Sequence, residues 1–331
     1  MSNSTLKILL KEYEQKRLNA ISDLEDRKNN LYSSNKRLKE IENELSNFAI
    51  NTAKNILSSN NSNYLKELDD KIFLLKKEKE EILKKLNIND NFFIPNFECN
   101  LCEDTGYIKE RSNFNLCNCI KQKLFDIEYN KSNISNLKND NFNNFDFNLY
   151  SDKINEDLYS SNISPKENIK NIKELALQFI NNFDSPNSKN LLFTGNTGLG
   201  KTFLSNCIAN EILKNGKTVL YQTSPVMLDT IIDYRFNKLQ NSNIYNNILD
   251  VDLLIIDDLG TECLNSMKFT ELFNVINTRL LNQNNHITKT IISTNLNLKD
   301  LSMKYDERIF SRFVGYYNIC RFFGDDIRFK K

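Results

Sequence analysis

One stretch of the chain has the residue types and the spacing of a phosphate-binding loop. It matches the pattern G-x-x-x-x-G-K-[ST] without a mismatch, and it lies between an apolar segment, 191–194, and a helix predicted over 201–213. Glycines let the backbone wrap closely around phosphate oxygens, and the helix N-terminus favours anions. The pattern predicts a nucleotide site made by Gly195, Asn196, Thr197, Gly198, Leu199, Gly200, Lys201 and Thr202.

The last two residues of this loop are expected to have different roles. Lys201 would reach the β- and γ-phosphates of ATP, and the hydroxyl of Thr202 would bind Mg²⁺. A chance glycine-rich turn is the alternative interpretation. It is the weaker one, because a strand, a helix and an acidic strand all lie where a phosphate-binding loop needs them.

A second apolar segment, 252–257, ends in two carboxylates. A hydrophobic strand that ends in a carboxylate places this group beside the bound magnesium, so we expect Asp257 to contact Mg²⁺. Asp258 comes next and is expected to act as the base on the attacking water. A solvated turn carboxylate is the alternative for Asp258, and Glu262 is a weaker candidate for the base.

A third apolar segment, 290–294, is followed by Asn295. A polar side chain at the tip of a strand beside the acidic strand can orient water against the γ-phosphate, and this is the expected role. The alternative is a turn or helix-cap residue, because a helical stretch follows Asn295.

Four of the seven cysteines form two close pairs that are separated by fourteen residues, Cys99-x2-Cys102 and Cys117-x-Cys119. Thiolates at such spacing can close a tetrahedron around Zn²⁺. A closed four-sulfur site would stabilise a segment that is too short for a core of its own. Iron–sulfur ligation and free thiols stay open as alternatives, because the second pair has a single intervening residue.

The remaining sequence supplies the elements that must position these groups. From residue 171 onward strands alternate with helices, which predicts a parallel α/β sheet covered on both faces. Imperfect heptads over 5–57 and 65–86, separated by a polar turn, predict an antiparallel helical hairpin or coiled coil. We therefore predict four parts: a helical arm, 1–95, a zinc module, 96–125, a polar linker, 126–170, and the nucleotide-binding domain, 171–331. The linker is expected to pack a few of its aromatic side chains onto a neighbouring domain.

Composition limits the classes of function. The 331 residues include 44 Lys and Arg against 43 Asp and Glu, a net charge of +1, which excludes a polybasic nucleic-acid coat. No apolar run approaches the roughly 18 residues of a membrane span. The N-terminus lacks the pattern of a signal peptide. We expect a cytoplasmic protein without membrane association.

The motifs together resemble the AAA+ ATPases of the bacterial DnaC/DnaI helicase-loader group over about 171–331. The segments that carry this resemblance are the phosphate loop, Ile255–Glu262, Ser293–Asn295 and Asp306–Phe313. The resemblance implies a P-loop sheet of the ASCE type. A full helical lid is not expected, because the chain ends soon after the last strand.

The same resemblance assigns roles to further residues. Asn295 matches the sensor-1 position, and Arg312 matches the arginine finger that acts on ATP held by a neighbouring subunit. Arg308 is the alternative finger, and an exposed ion pair is the alternative for both arginines. Many AAA+ proteins carry Glu where Asp258 stands, and Arg328 resembles the C-terminal arginine of the group.

The implied function is an ATP-dependent loader of the hexameric replicative DNA helicase onto single-stranded DNA. It would need ATP, Mg²⁺ and Zn²⁺, hydrolyse ATP weakly and assemble with itself when ATP binds. The segment 99–119 also resembles the zinc module of DnaI-type loaders, which favours a loader over an IstB-like transposition-assisting ATPase. That ATPase, and an ATP-binding adaptor with little hydrolysis, stay open as alternatives.

Contact with DNA is the least specific expectation. Tyr221, Tyr234, Arg235 and Lys238 lie in and after the second strand of the ATPase region, where loaders of the group that this chain resembles contact DNA. Aromatic and basic side chains of this kind bind single strands by stacking and charge. Helix packing explains the four residues equally well.

Overall fold

The computed structural model describes residues 3–58, 62–110, 113–128, 140–237, 243–263, 265–282 and 286–330. The chain divides into two compact units, residues 8–115 in one and residues 1–7 with 116–331 in the other. Among the described residues, no helix is both long enough and apolar enough to cross a membrane.

The unit of residues 8–115 is built mainly from three long helices, α1 (Asn3–Ser34), α2 (Lys36–Ser58) and α3 (Ser62–Lys85). A short ribbon of β1 (Tyr107–Glu110) and β2 (Asn113–Leu116) follows them. Helices α2 and α3 pack as a hairpin, with an ion pair of 2.8 Å between Arg37 Nε and Glu78 Oε1. The expected hairpin is therefore present.

The first predicted helix, 5–57, is divided at Asn35. Its side-chain oxygen accepts a hydrogen bond from Leu38 N at 3.1 Å, so Asn35 caps the start of α2. The side chains of Leu65 and Leu68 in the second heptad run lie outside the described residues. Residues 90–98 return along α1, where Arg27 Nη2 donates to Ile94 O at 3.2 Å.

The other unit contains a five-stranded parallel sheet of β3 (Asn190–Thr194), β4 (Val219–Thr223), β5 (Leu253–Leu259), β6 (Lys289–Thr294) and β7 (Tyr317–Arg321). The strand order is β4-β5-β6-β3-β7. One strand, β6, thus separates the phosphate-loop strand β3 from the acidic strand β5. This is the predicted P-loop AAA+ sheet of the ASCE type.

Helices lie around this sheet as the strand–helix alternation predicts. They are α4 (Asn118–Glu128), α5 (Glu156–Tyr159), α6 (Pro165–Asn181), α7 (Lys201–Lys214), α8 (Ser224–Asn237), α9 (Asn243–Asp250), α10 (Ser266–Asn282), α11 (Leu298–Lys304) and α12 (Glu307–Tyr316). After β7, the described residues contain a single 3-10 turn, Ile327–Lys330.

Two apolar layers form the core on the two faces of the sheet. One layer joins α6 and α7 to residues such as Leu191 and Phe193, and the other joins α8, α10 and α12 to residues such as Leu254 and Ile256. Both faces of the central strands are buried, which explains their continuous apolar runs.

Helix α6 begins at Pro165, before residue 171, where we placed the start of the nucleotide-binding domain. Ser164 accepts a hydrogen bond from Glu167 N at 3.2 Å, and Pro165 occupies the first helical turn, where a missing N–H costs nothing. The preceding segment, 140–150, packs its aromatic side chains against the first core layer. The expected packing of linker aromatics on a neighbouring domain is therefore found for 140–150, and these residues belong to the compact unit of the sheet.

Candidate nucleotide-binding site

The predicted phosphate loop connects β3 to the N-terminus of α7. Gly198 and Gly200 have φ angles of +73° and +90°, a left-handed conformation that glycine adopts without strain. Both also lie against neighbouring segments, because a Cβ on Gly198 would overlap the Asp326 carboxylate and one on Gly200 would lie 2.6 Å from the Tyr150 hydroxyl. The loop thus needs glycine for its conformation and for its packing.

Lys201 lies buried within the loop. Its Nζ donates hydrogen bonds to the backbone oxygens of Gly195 and Asn196 at 2.6 and 2.7 Å. A third bond, of 2.8 Å, goes to Asn295 Oδ1. Burial lowers the pKa of Lys201 to about 8, although the Asp257 and Asp258 carboxylates oppose the shift. The ammonium group is therefore held at the carboxyl edge of the sheet, beside the predicted phosphate position.

The Asp257 carboxylate is the centre of a hydroxyl network. Thr202 Oγ1 donates to Asp257 Oδ2 at 3.1 Å, and the Tyr221 hydroxyl donates to the same oxygen. Ser293 Oγ donates to Asp257 Oδ1. Carboxylate and hydroxyl oxygens are ligands that Mg²⁺ accepts. The donor set of Thr202 and Asp257 thus fits the predicted magnesium site.

The position of Tyr221 corrects one expectation. The side chain is buried, and burial together with the Asp257 charge raises the pKa of its phenol. A ring in this place cannot stack on DNA. Of the other DNA-contact candidates, Arg235 forms an ion pair with Glu271, and Lys238 lies outside the described residues.

Asp258 lies in an irregular part of β5. The register with β6 shifts between Ile256 and Leu259, and Asp258 has a φ of +54°. The bulge turns the side chain into the cavity at the carboxyl edge. Burial, and then the charge of Asp257, raise the pKa of Asp258, while Lys201 opposes them. A raised pKa suits a group that accepts a proton.

Asn295 follows β6 and lies between the two strands that carry the other candidates. It lines the cavity and accepts the Lys201 hydrogen bond, as described above. The helix cap of α11 is a different residue, Asn297, whose side chain accepts from Asp300 N at 2.9 Å. The alternative interpretation of Asn295 as the cap is therefore wrong.

Glu262, the weaker candidate for the base, has another role in the structure. Its carboxylate is 4% exposed, accepts from the Tyr305 hydroxyl and accepts from Gly260 N at 2.9 Å. These contacts hold the loop after β5 against the end of α11.

The cavity has a volume of about 750 Å³ and two chemically different ends. The phosphate end holds the loop residues with Asp258, Asn295 and Arg328. We define the base end as the remaining lining residues, which are Asn144, Phe145, Asp146, Leu149, Tyr150, Phe203 and Ile327.

Sequence reasoning missed the base end. Its residues come from the assumed linker, from α7 and from the segment after β7, and backbone contacts join them to the loop. The Tyr150 hydroxyl donates to Leu199 O at 3.1 Å, and Ile327 N donates to Gly198 O at 2.9 Å. The aromatic spacing of 142–150 was the one available signal.

The two arginines of α12 differ in their contacts. Arg308 forms the ion pair with Asp306, at 2.7 Å, that we gave as the alternative. Arg312 Nε instead donates to Asn277 Oδ1 at 3.1 Å. Neither is among the described residues that line the cavity, as a residue acting on a neighbouring subunit requires. Arg328 does line the cavity and pairs with Asp326.

The four predicted zinc ligands come together. The sulfur atoms of Cys99, Cys102, Cys117 and Cys119 all lie within 4.8 Å of one another. Two Zn–S bonds of about 2.3 Å span at most about 4.6 Å, so small side-chain shifts would let four thiolates bind one ion. The donor chemistry therefore fits zinc.

The part of the chain that carries this site is similar to known proteins. The family of IstB-like ATP binding proteins matches residues 138–314. The replicative helicase loader DnaC of Escherichia coli (strain K12) is 29% identical over 138 residues, which cover 41% of this chain and 54% of that protein. DnaC of Buchnera aphidicola subsp. Baizongia pistaciae (strain Bp) is 28% identical over 149 residues, 44% of this chain and 58% of that protein.

The chain thus spans about half the length of the curated relatives it matches. A crystal structure of the DnaC helicase loader has a TM-score of 0.44 and 19% identity, covering 56% of this chain and 98% of that one. The family match includes the phosphate loop, Asp257, Asp258 and Asn295, and extends over more than half of the sequence. The chain belongs to the family of IstB-like ATP binding proteins.

Proposed function

We propose that the chain is an ATPase that loads a hexameric replicative DNA helicase onto single-stranded DNA during DNA replication. The observation that carries the proposal is the meeting of Lys201, Thr202, Asp257, Asp258 and Asn295 at one edge of the sheet. The similarity to the two DnaC helicase loaders supports the choice of substrate and partner.

The proposal gives each of these residues a role that its position at the carboxyl edge of the sheet supports. Lys201 binds the β- and γ-phosphates, which replace its present backbone acceptors. Thr202 and Asp257 hold Mg²⁺, which supplies charge neutralisation on the phosphates when it is bound. Asp258 accepts the proton of the attacking water, and Asn295 orients that water. Hydrolysis would be weak and stimulated by partners.

Arg312 completes the proposed site from a second copy of the chain. A cation supplied in trans stabilises charge on the γ-phosphate and couples hydrolysis to assembly. Because Arg312 lies outside its own cavity, self-assembly in the presence of ATP is part of the proposal. The protein would act in the cytoplasm.

The cysteine cluster is proposed to hold one structural Zn²⁺ per chain. Elemental analysis of the purified protein, repeated on a Cys102→Ser/Cys117→Ser variant, tests this assignment. We expect about one zinc per chain in the wild type and a loss of metal in the variant. ATP binding should survive the change. Metal content that the double substitution leaves unaltered would contradict the site.

The decisive test of the function is capture of a hexameric replicative helicase by the full chain. We expect capture that depends on ATP and is lost, or no longer nucleotide-dependent, in Lys201→Ala. Loading is then measured as helicase bound to single-stranded DNA. A preference for duplex DNA without helicase capture would instead indicate a transposition-assisting ATPase. Partner release that Asp258→Asn leaves intact would indicate an adaptor with little hydrolysis.

A further inference from the structure

One lysine outside the loop is surrounded by phenylalanine rings. Lys173 lies on α6, and its Nζ is 5.1 Å from the ring centroids of Phe145 and Phe147 and 5.7 Å from that of Phe142. All three distances lie within the range of a cation–π interaction. We call these four residues the Lys173 cage. A single ammonium group thus interacts with three rings that lie within a segment of six residues, 142–147.

The cage is connected to the base end of the cavity through Phe145. Of the three rings, only Phe145 lines the cavity. Its centroid is 5.0 Å from that of Phe147 and 5.6 Å from that of Phe203, which follows the loop directly. Phe145 therefore contacts both the other cage residues and α7.

The segment that carries the rings has little regular structure of its own. It contains two single-turn 3-10 helices, Phe142–Asn144 and Phe147–Leu149. Such turns give few backbone hydrogen bonds. Contacts to α6 and α7 must therefore fix where the rings stand, and the Lys173 ammonium is the charged group that the three rings share.

We propose that Lys173 is a positioning residue for the nucleobase of the bound nucleotide. Its ammonium orders the three rings, so that Phe145 presents a fixed apolar face to a planar base. Because the rings are ordered before the nucleotide binds, less conformational entropy is lost on binding. The ligand class is a nucleoside di- or triphosphate, and the role rests on the proposed function, because it presupposes a nucleotide in the cavity.

The experiment separates the base from the phosphates. Dissociation constants for ATP, ADP and inorganic tripolyphosphate are measured on the full chain with Mg²⁺. Lys173→Met removes the charge and keeps the length, whereas Lys173→Arg keeps a cation. Lys170→Met is the matched control, because Lys170 is one turn away on α6 and, of the three cage rings, lies within cation–π range of Phe147 alone, at 5.9 Å.

We expect Lys173→Met to raise the dissociation constants of ATP and ADP by the same factor, about three- to tenfold. Tripolyphosphate should bind as tightly as to the wild type. Lys173→Arg should recover most of the affinity, and Lys170→Met should change nothing. Phe147→Leu removes a cage ring that does not line the cavity, and we expect it to produce the same base-selective loss.

Three results would overturn the inference. They are unchanged ATP affinity in both Lys173→Met and Phe147→Leu, an equal loss for tripolyphosphate, or failure of arginine to restore binding. If Lys173→Met does not fold, as judged by its thermal transition, Phe147→Leu decides alone. A wild-type chain that binds none of the three ligands would refute the proposed function as well, so the two failures are distinguishable.

Discussion

The two ends of the cavity differ in the interactions that they offer to a ligand. Apart from Arg328, the phosphate end consists of charged groups and hydrogen-bond donors on one contiguous loop and on the tips of two adjacent strands. The base end consists mainly of aromatic and aliphatic side chains, together with Asn144 and Asp146, from three separate parts of the chain. Phosphate oxygens require donors at fixed positions, whereas a planar base requires apolar surface that many segments can supply.

This difference predicts an order of effects. Removing the cation at the phosphate end leaves ligand charges unpaired in a partly buried place, which is costly. Removing one contact at the base end leaves the other apolar walls in place. Substitutions should therefore be severe at the phosphate end and graded at the base end.

The largest effect is expected for Lys201→Ala. Its ammonium is the group that would meet the β- and γ-phosphates, so ATP, ADP and tripolyphosphate should all fail to bind while the fold is kept. Binding is measured by calorimetry and folding by the thermal transition. Lys214→Ala is the control, because Lys214 is exposed at the far end of the same helix. If a Lys201→Ala chain binds ATP with unchanged affinity, the assignment of 195–202 as the phosphate-binding loop is wrong.

Arg312→Ala should have the next largest effect, on hydrolysis alone. Loss of such a cation can reduce the rate by on the order of 10³-fold where it acts fully. ATP affinity should stay the same, because Arg312 is not among the described residues that line its own cavity. The measurement is hydrolysis per chain at increasing protein concentration, with and without DNA.

Mixing the two variants sharpens this test. A Lys201→Ala chain cannot bind ATP but can supply its arginine, and an Arg312→Ala chain has the reverse defect. Each should be nearly inactive alone, and the mixture should recover part of the activity. If the Arg312→Ala chain is fully active by itself, Arg312 has no part in hydrolysis. One chain would then supply every group that hydrolysis needs at the phosphate end.

The contrast between the ends also explains what the sequence could predict. The loop, Asp257, Asp258 and Asn295 were predictable because each is a local pattern, a run of residues or a strand with a polar tip. The AAA+ sheet was predictable for the same reason, since buried parallel strands are continuous apolar runs. Asn295 could be distinguished from a helix cap only after the structure placed Asn297 at that position.

The base end could not be predicted, because nothing local marks it. Phe145, Tyr150 and Ile327 meet through tertiary packing across nearly the length of the unit that contains the sheet. The Asn-rich surroundings of 140–150 suggested a linker. The start of α6 was a missed local signal, since Ser164, Pro165 and Glu167 form a recognisable N-terminal cap. The division at Asn35 was missed because the heptad continues through it.

At the base end, we expect Phe145→Ala to weaken ATP and ADP binding about tenfold, because loss of one stacked ring costs about 1–3 kcal/mol. Tripolyphosphate binding should not change. Phe329→Ala is the control, because Phe329 is 87% exposed. If Phe145→Ala instead abolishes all binding, the base end is as essential as the loop, and the distinction between the ends disappears.

The smallest effect is expected where the two ends meet, at Tyr150. This residue belongs to the base-end segment, but its hydroxyl donates to Leu199 O within the phosphate loop. Burial raises the pKa of Tyr150 to about 12, so the hydroxyl stays a donor at neutral pH. Tyr150→Phe keeps the ring and removes about 1 kcal/mol of hydrogen bonding, equivalent to about fivefold in affinity.

The informative result is whether Tyr150→Phe weakens the binding of ATP, ADP and tripolyphosphate equally. Because the lost bond fixes the loop, ATP, ADP and tripolyphosphate should all weaken by the same factor, unlike the base-selective loss in Phe145→Ala. Calorimetry with the three ligands, on Tyr150→Phe and Phe145→Ala in parallel, makes the comparison. A base-selective loss in Tyr150→Phe would mean that the hydroxyl orders the base wall. In that case Tyr150 and the rest of segment 140–150 would contribute to binding of the base alone, and the loop would bind the phosphates without their help.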